Sequence, residues 1–167
     1  KDNLILAVPS SGLHSNGYSL VRYIIKKNKI NLKNNIDLQK DLLEPTKIYV
    51  DEILELNNRG LINGCANITG GGLADNIKRI IPKNHKAEID LSKIKTSKGF
   101  KWIKKNNVSE NEMLSTFNCG VGFFLIFKPL NLDKVKKYFN KRYKPYVIGR
   151  ISKGHTKVKL YGKINWS

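Results

Sequence analysis

Residues able to do chemistry are concentrated in one short stretch, Pro9-Ser10-Ser11-Gly12-Leu13-His14-Ser15-Asn16-Gly17-Tyr18. His14 can stabilise or transfer charge near neutral pH, which makes it the candidate for contact with reacting groups. Ser10, Ser11, Ser15 and Asn16 can hydrogen-bond a phosphate or an amide, and Gly12 and Gly17 permit close backbone approach or positive φ. A second stretch, Asn67-Ile68-Thr69-Gly70-Gly71-Gly72, offers an amide, a hydroxyl and three consecutive flexible backbone amides, again suited to phosphate or oxyanion recognition. Asn118 is a further candidate, between an apparent helix and an apolar run. The plainer alternative is that Ser15, Asn16 or Thr69 only caps a helix and that the glycines serve turn geometry.

The surrounding pattern explains how such loops are held. Leu4 to Val8 has the length and apolar content of a buried strand, and Pro9 ends it because proline has no N–H for a ladder. After the loop, Leu20, Val21, Ile24 and Ile25 recur at helical spacing. The second loop repeats the layout: Leu61 to Ile68 reads as a strand, and Leu73, Ile77, Ile80 and Ile81 as a helix face stopped by Pro82. Two strand–loop–helix units of this kind suggest two phosphate-capable loops converging on one pocket.

Further along, Thr46 stands where it could cap a helix carrying Ile53, Leu54 and Leu56, ended by Asn57, Asn58 and Gly60. Lys86 to Leu91 reads as a half-exposed strand, Phe100 to Ile103 as a short anchoring helix, and Ser109 with Glu112 as a capping box. Cys119 to Phe127 is the most apolar segment and reads as a central strand, with Gly120 and Gly122 leaving room for a close neighbour. Asn131 is positioned to cap a helix through Val135 and Tyr138, and Tyr146 to Ile151 and Val158 to Ile164 read as a closing antiparallel strand pair. His85 and His155 are expected in solvent-exposed turns. Alternating strands and helices with such an ending indicate a mixed sheet in an α+β layout with α/β-like layers.

At 167 residues the chain has the size of one domain. Its formal charge of +18 would ordinarily raise a nucleic-acid partner, but lysines are spread along the chain and no nucleic-acid motif accompanies them. By this reading nucleic acid is not expected as the main partner. Cys65 and Cys119 have no CxxC spacing and sit in apolar surroundings, which reads as buried free thiols in a reducing compartment. No apolar run reaches the length of a membrane span, and no acidic cluster has metal-ligand spacing.

Five ordered blocks carry a family resemblance: PSSGLHSNGYSLVR at the first loop, LLEPTKIYV (Leu42 to Val50), NITGGGLADNIKRIIP (Asn67 to Pro82), EMLSTFNCGVG (Glu112 to Gly122) and YVIGRI (Tyr146 to Ile151). The chain resembles the C-terminal domain of the phosphoribosylformylglycinamidine cyclo-ligases, also called aminoimidazole ribonucleotide synthetases, over nearly its whole length. The resemblance implies a mixed β-sheet flanked by helices on both faces, partly ferredoxin-like, with residues 1–167 forming the C-terminal domain and an N-terminal ATP-binding domain lying outside the chain. It also implies ATP-dependent closure of the imidazole ring of a purine precursor in the cytoplasm by a homodimer, in a groove between domains. ATP and magnesium would be held mainly by the N-terminal domain, so the chain alone is expected to be inactive.

On that expectation His14 is the catalytic candidate, and Ser10, Ser11, Ser15, Asn16, Asn67, Thr69, Gly70, Gly71, Gly72 and Asn118 are candidates for substrate or phosphate binding. One position departs from the family pattern: many members carry histidine where this chain has Asn67, and asparagine cannot shuttle a proton near neutral pH. Two other readings compete. One is a related ATP-dependent enzyme of the same superfamily, such as formylglycinamidine ribonucleotide synthetase, thiamine monophosphate kinase or selenophosphate synthetase. The other is a basic nucleic-acid-binding module.

Overall fold

The computed structural model describes residues 3–167; Lys1 and Asp2, the first two residues of the expected domain, lie outside the described residues. Six strands form one sheet: β1 (Leu4–Pro9), β2 (Gly64–Asn67), β3 (His85–Asp90), β4 (Val121–Phe127), β5 (Tyr146–Lys153) and β6 (Val158–Tyr161). Their spatial order is β2-β4-β1-β5-β3-β6. Pairing is antiparallel throughout except between β3 and β6, which are parallel, so the sheet is mixed as expected.

Alternation along the central strands creates two cores. Ile5, Ala7, Phe124 and Ile126 face one side, whereas Leu6, Val8, Leu125 and Phe127 face the other, because successive strand side chains point to opposite faces. The first face is covered by α1 (Tyr18–Lys27), α2 (Ile36–Leu43), α4 (Gly72–Lys78), α5 (Lys98–Lys105) and α6 (Glu110–Thr116), through side chains such as Val21, Leu42, Ile77, Phe100 and Met113. The second is covered by α3 (Val50–Asn58) and α7 (Leu132–Lys137), through Leu56 and Val135. Burial of a residue such as Phe124, Phe127 or Leu56 contributes about 1.5–3 kcal/mol each.

Several local expectations are corrected. The two closing strands do not pair with each other: β3 inserts between β5 and β6, because β5 already bonds β3 along residues 149–153. The second strand is shorter than the apolar run suggested, covering Gly64–Asn67, since Ile62 belongs to the α3 and α7 side. Helix α4 ends at Lys78, before the last two residues of the expected face, although Ile81 remains buried. Ser109 does accept from the Glu112 N–H, but the Glu112 carboxylate accepts from Thr116, so only half of the capping box forms. Asn131 caps nothing with its side chain and donates instead to the Leu61 carbonyl at 3.2 Å. His85 is the half-buried first residue of β3 rather than part of an exposed turn, while His155 is exposed. Cys119 is buried, and burial pushes its thiol up to about 12; Cys65 is only half-buried.

Candidate functional site

The first loop leaves β1 at Pro9 and is held by three of the residues expected to bind ligand. Ser10 N–H donates to the Gly120 carbonyl at 3.0 Å, and Ser10 Oγ donates to Asn118 Oδ1 at 3.1 Å. Asn118, fully buried, also accepts from Gly120 N–H at 2.8 Å and donates through Nδ2 to the Gly12 carbonyl at 2.9 Å. Ser11 Oγ donates to the Pro45 carbonyl at 2.7 Å and accepts from Lys47 N–H at 2.9 Å. The polar atoms of Ser10, Ser11 and Asn118 are thus engaged within the protein, and their contribution is to shape the loop.

That clasp also corrects the role expected of Thr46. By drawing Pro45 to Lys47 across the first loop, Ser11 keeps the chain extended there, and α3 starts only at Val50 with Tyr49 as its cap position. Ser15 and Asn16 do not cap α1 either. Its cap position is Gly17, at φ 80° with no capping side chain, and a Cβ on Gly17 would lie 2.0 Å from the Phe117 ring. Ser15 and Asn16 are left available to a ligand.

His14 is only 8% exposed and its backbone is left-handed at φ 57°. A non-glycine residue in that region costs about 1–2 kcal/mol, so the surrounding contacts must impose it. The Ser11 backbone N–H donates to His14 Nε2 at 3.3 Å, and Tyr49 Oη lies 3.5 Å from the same nitrogen. Tyr49 Oη donates to the Pro9 carbonyl at 2.8 Å. Burial lowers the imidazole pKa below its usual value, and burial, with smaller contributions from Tyr143 and Glu52, raises that of the Tyr49 phenol. Both groups are therefore neutral at neutral pH.

The second loop is organised by a residue the sequence reading did not single out. Asn76 on α4, 2% exposed, donates through Nδ2 to the carbonyls of Thr69, Gly70 and Gly72, and its Oδ1 accepts from Thr69 Oγ1 at 3.1 Å. The glycine run has separate reasons. Gly71 is at φ 91° as the cap position of α4, whereas Gly72 is at φ 65° with its Cβ direction 1.8 Å from the Leu114 carbonyl on α6. Gly72 is a packing glycine that lets α4 and α6 touch.

The two loops meet. His14, Ser15 and Asn16 line one open cavity of about 130 Å3 together with Asn67, Ile68 and Thr69, and a Cβ on Gly70 would stand 3.7 Å from Asn16 Oδ1. Thr46, Lys47 and Tyr49 close its third side. Lys47, Tyr49 and Asn67 also line an adjoining groove of about 340 Å3, whose remaining wall is apolar and includes Ile48, Val50, Leu54 and Phe123. The Lys47 ammonium is held by Glu52 at 2.6 Å and lies over the rings of Tyr49 and Tyr143, at 5.0 and 4.9 Å. A cavity of this size takes one end of a ligand, such as a phosphoryl or amide group, rather than a whole nucleotide.

Among the described residues no three His, Cys, Asp or Glu side chains gather as metal ligands. The cavity presents amides, hydroxyls and a neutral imidazole, a donor set that does not suit magnesium, which takes carboxylate and phosphate oxygens. Lys47 and Tyr49 could have been found from the sequence, since they lie in the second block, Leu42 to Val50. Asn76 carried no such signal, because its role depends on the fold of the loop before it.

A mixed sheet with helices on both faces, and two strand–loop–helix units closing on one small polar cavity, define an α+β domain with a candidate binding cavity. A family model described as AIR synthase related protein, C-terminal domain, matches residues 1–161, and the chain belongs to that family. It is 39% identical over 162 residues to a phosphoribosylformylglycinamidine cyclo-ligase of Ligilactobacillus salivarius, covering 92% of this chain and 47% of that protein. It is 37% identical to the chicken (Gallus gallus) trifunctional purine biosynthetic protein adenosine-3, covering 95% of this chain and 17% of that protein. The chain thus spans about half the length, or less, of the curated relatives it matches. Among solved structures it resembles thiamine-monophosphate kinase of Stenotrophomonas maltophilia, with a TM-score of 0.61, 17% identity and coverage of 98% of this chain and 51% of that one. It also resembles Thermotoga maritima PurL complexed with FGAR, with a TM-score of 0.54, 12% identity and coverage of 96% and 25%. At such identities the likeness concerns the fold.

Proposed function

We propose that the chain is the C-terminal domain of a phosphoribosylformylglycinamidine cyclo-ligase and supplies one wall of its active-site groove. The observation that carries this reading is the convergence of His14, Ser15 and Asn16 with Asn67 and Thr69 on one cavity, in a chain about 40% identical to proteins of that name. In the proposed reaction ATP phosphorylates the formyl oxygen of formylglycinamidine ribonucleotide. A nitrogen of the substrate then attacks that carbon, phosphate leaves, and the imidazole ring closes. Negative charge develops on phosphoryl oxygens and on the departing phosphate, where fixed neutral donors are most effective. Ser15, Asn16, Asn67 and the amides of Gly70 and Gly71 bind and orient the ligand, and the His14 imidazole faces the charge that develops.

The second wall is an N-terminal ATP-binding domain. The apolar groove beside the cavity supports this, since Ile48, Val50 and Leu54 are 77%, 55% and 55% exposed and form a surface suited to a partner domain. ATP and magnesium are held chiefly by that domain, the intact enzyme is a homodimer, and it works in the cytoplasm. The test is reconstitution. The intact polypeptide, the chain alone and the chain with its N-terminal half are each assayed for ADP and aminoimidazole ribonucleotide formation. Activity is expected from the first and third only. Turnover by the chain alone would overturn the division of labour, and an intact enzyme that phosphorylates thiamine monophosphate instead would overturn the choice of substrate.

A further inference from the structure

We propose that the Ser11 backbone amide holds His14 in the tautomer with its proton on Nδ1, and that Tyr49 is a positioning residue that keeps the imidazole seated on that amide, so that His14 serves the reaction as a neutral hydrogen-bond donor. This rests on reading the cavity as part of the cyclo-ligase site, and it assigns a state to His14 and a role to Tyr49 within it. The argument begins with what each partner can do. A backbone N–H only donates, so the Ser11 amide, 3.3 Å from Nε2, requires a lone pair on that nitrogen. Ser11 is itself fixed, because its hydroxyl is held between the Pro45 carbonyl and the Lys47 amide.

Tyr49 contributes from the other side. A carbonyl only accepts, so the 2.8 Å contact with the Pro9 carbonyl engages the phenolic proton. The contact between Tyr49 Oη and Nε2, at 3.5 Å, is too long to compete for it. Tyr49 is only 5% exposed, and its ring stands against that of His14 with centroids 6.0 Å apart. Anchored through its hydroxyl to Pro9, it holds the imidazole against the Ser11 amide.

Gly122 on β4 makes the arrangement possible. A Cβ there would fall 2.0 Å from Tyr49 Oη and 3.2 Å from His14 Cε1, so any side chain would push both rings away. The remaining ring nitrogen, Nδ1, has no partner among the described residues, while His14 lines the cavity. A neutral imidazole with Nε2 engaged as an acceptor presents one polar group to a ligand, the Nδ1–H. The matching ligand atom is an oxygen gaining negative charge, whether on a phosphoryl group or on the phosphorylated amide.

The experiment combines spectroscopy with kinetics on the intact polypeptide. With histidine labelled in 13C and 15N, a long-range 1H–15N correlation spectrum distinguishes a protonated from an unprotonated nitrogen at each ring position. His14 should show protonated Nδ1 and unprotonated Nε2 in the wild type, and a mixture of tautomers in Tyr49→Phe, whose ring has lost its anchor on Pro9 and no longer holds the imidazole on the Ser11 amide. Turnover of Tyr49→Phe should fall roughly tenfold or more, the scale on which partners that orient a functional histidine act, with KM little changed. Adding Tyr49→Phe to His14→Asn should cost nothing further, because Tyr49 acts through His14. Gly122→Ala, which displaces both rings, should reproduce the tautomer mixture even if its melt is lower. A wild-type His14 protonated on Nε2, or additive losses in the double variant, would overturn the proposal. Because the spectrum needs no turnover, a protein with this tautomer but no cyclo-ligase activity would refute the functional reading and leave the assignment of the tautomer standing.

Discussion

His14 joins three properties seldom found together in a loop residue: burial, a left-handed backbone and a ring enclosed by polar contacts. Asparagine tolerates the left-handed region better than most residues, so His14→Asn should keep the fold while removing the imidazole. In the intact enzyme, turnover should fall about a hundredfold or more with a smaller change in KM, and the thermal melt should shift little. Near-normal turnover would make His14 a packing residue. Its titration gives a second prediction. The folded state resists protonating the buried ring, whereas the unfolded chain takes the proton near the ordinary value of 6.5. The His14 contribution to stability is therefore complete above about pH 6.5 and is lost as pH falls from there through the lower folded value. Chemical denaturation from pH 7.5 to 5 should show a decline that His14→Asn flattens.

The elements that carry the loops are short, and they hold position by packing closely. Helix α4 has seven residues, too few to rely on intrinsic helicity, and gains its place through Ile77, through Asn76 and through direct contact with α6. The contact at Gly72 leaves no room for a methyl group, since it would stand 1.8 Å from the Leu114 carbonyl, and the φ of 65° disfavours other residues as well. Gly72→Ala should destabilise by about 3 kcal/mol through overpacking and backbone strain together. Denaturant unfolding should show that loss, and a stability within about 0.5 kcal/mol of wild type would refute the packing role, that being the scatter of neutral substitutions.

At the scale of the molecule, the sheet brings the two candidate loops to one end. Strands β1 and β2 run parallel to each other on either side of β4, so their C-terminal ends, followed by the first and second loops, emerge together. The apolar surface of Ile48, Val50 and Leu54 borders that end. If an N-terminal domain closes there, Leu54→Lys should weaken association of the separately expressed halves by tenfold or more, the cost of a buried unpaired charge being several kcal/mol. Leu54 is 55% exposed, so the melt of the chain itself should move little. Titration calorimetry of the two halves measures this, and unchanged affinity would place the partner elsewhere.

Periodicity and glycine placement alone determined the strand–loop–helix units, the central strand β4 and the loops that meet at the cavity, because these follow from which residues can be buried and which can turn the chain. Residues 42–50 and the other ordered blocks determined the family. Only the tertiary structure decided that β3 separates β5 from β6, since pairing among strands depends on long-range register that no local pattern encodes. It alone turned Ser10, Ser11 and Asn118 from ligand candidates into braces, and brought Tyr49 and Gly122 against His14 from positions 35 and 108 residues away. A side chain's type states which hydrogen bonds it can make, but its role is set by whichever partners the packed chain brings within about 3 Å.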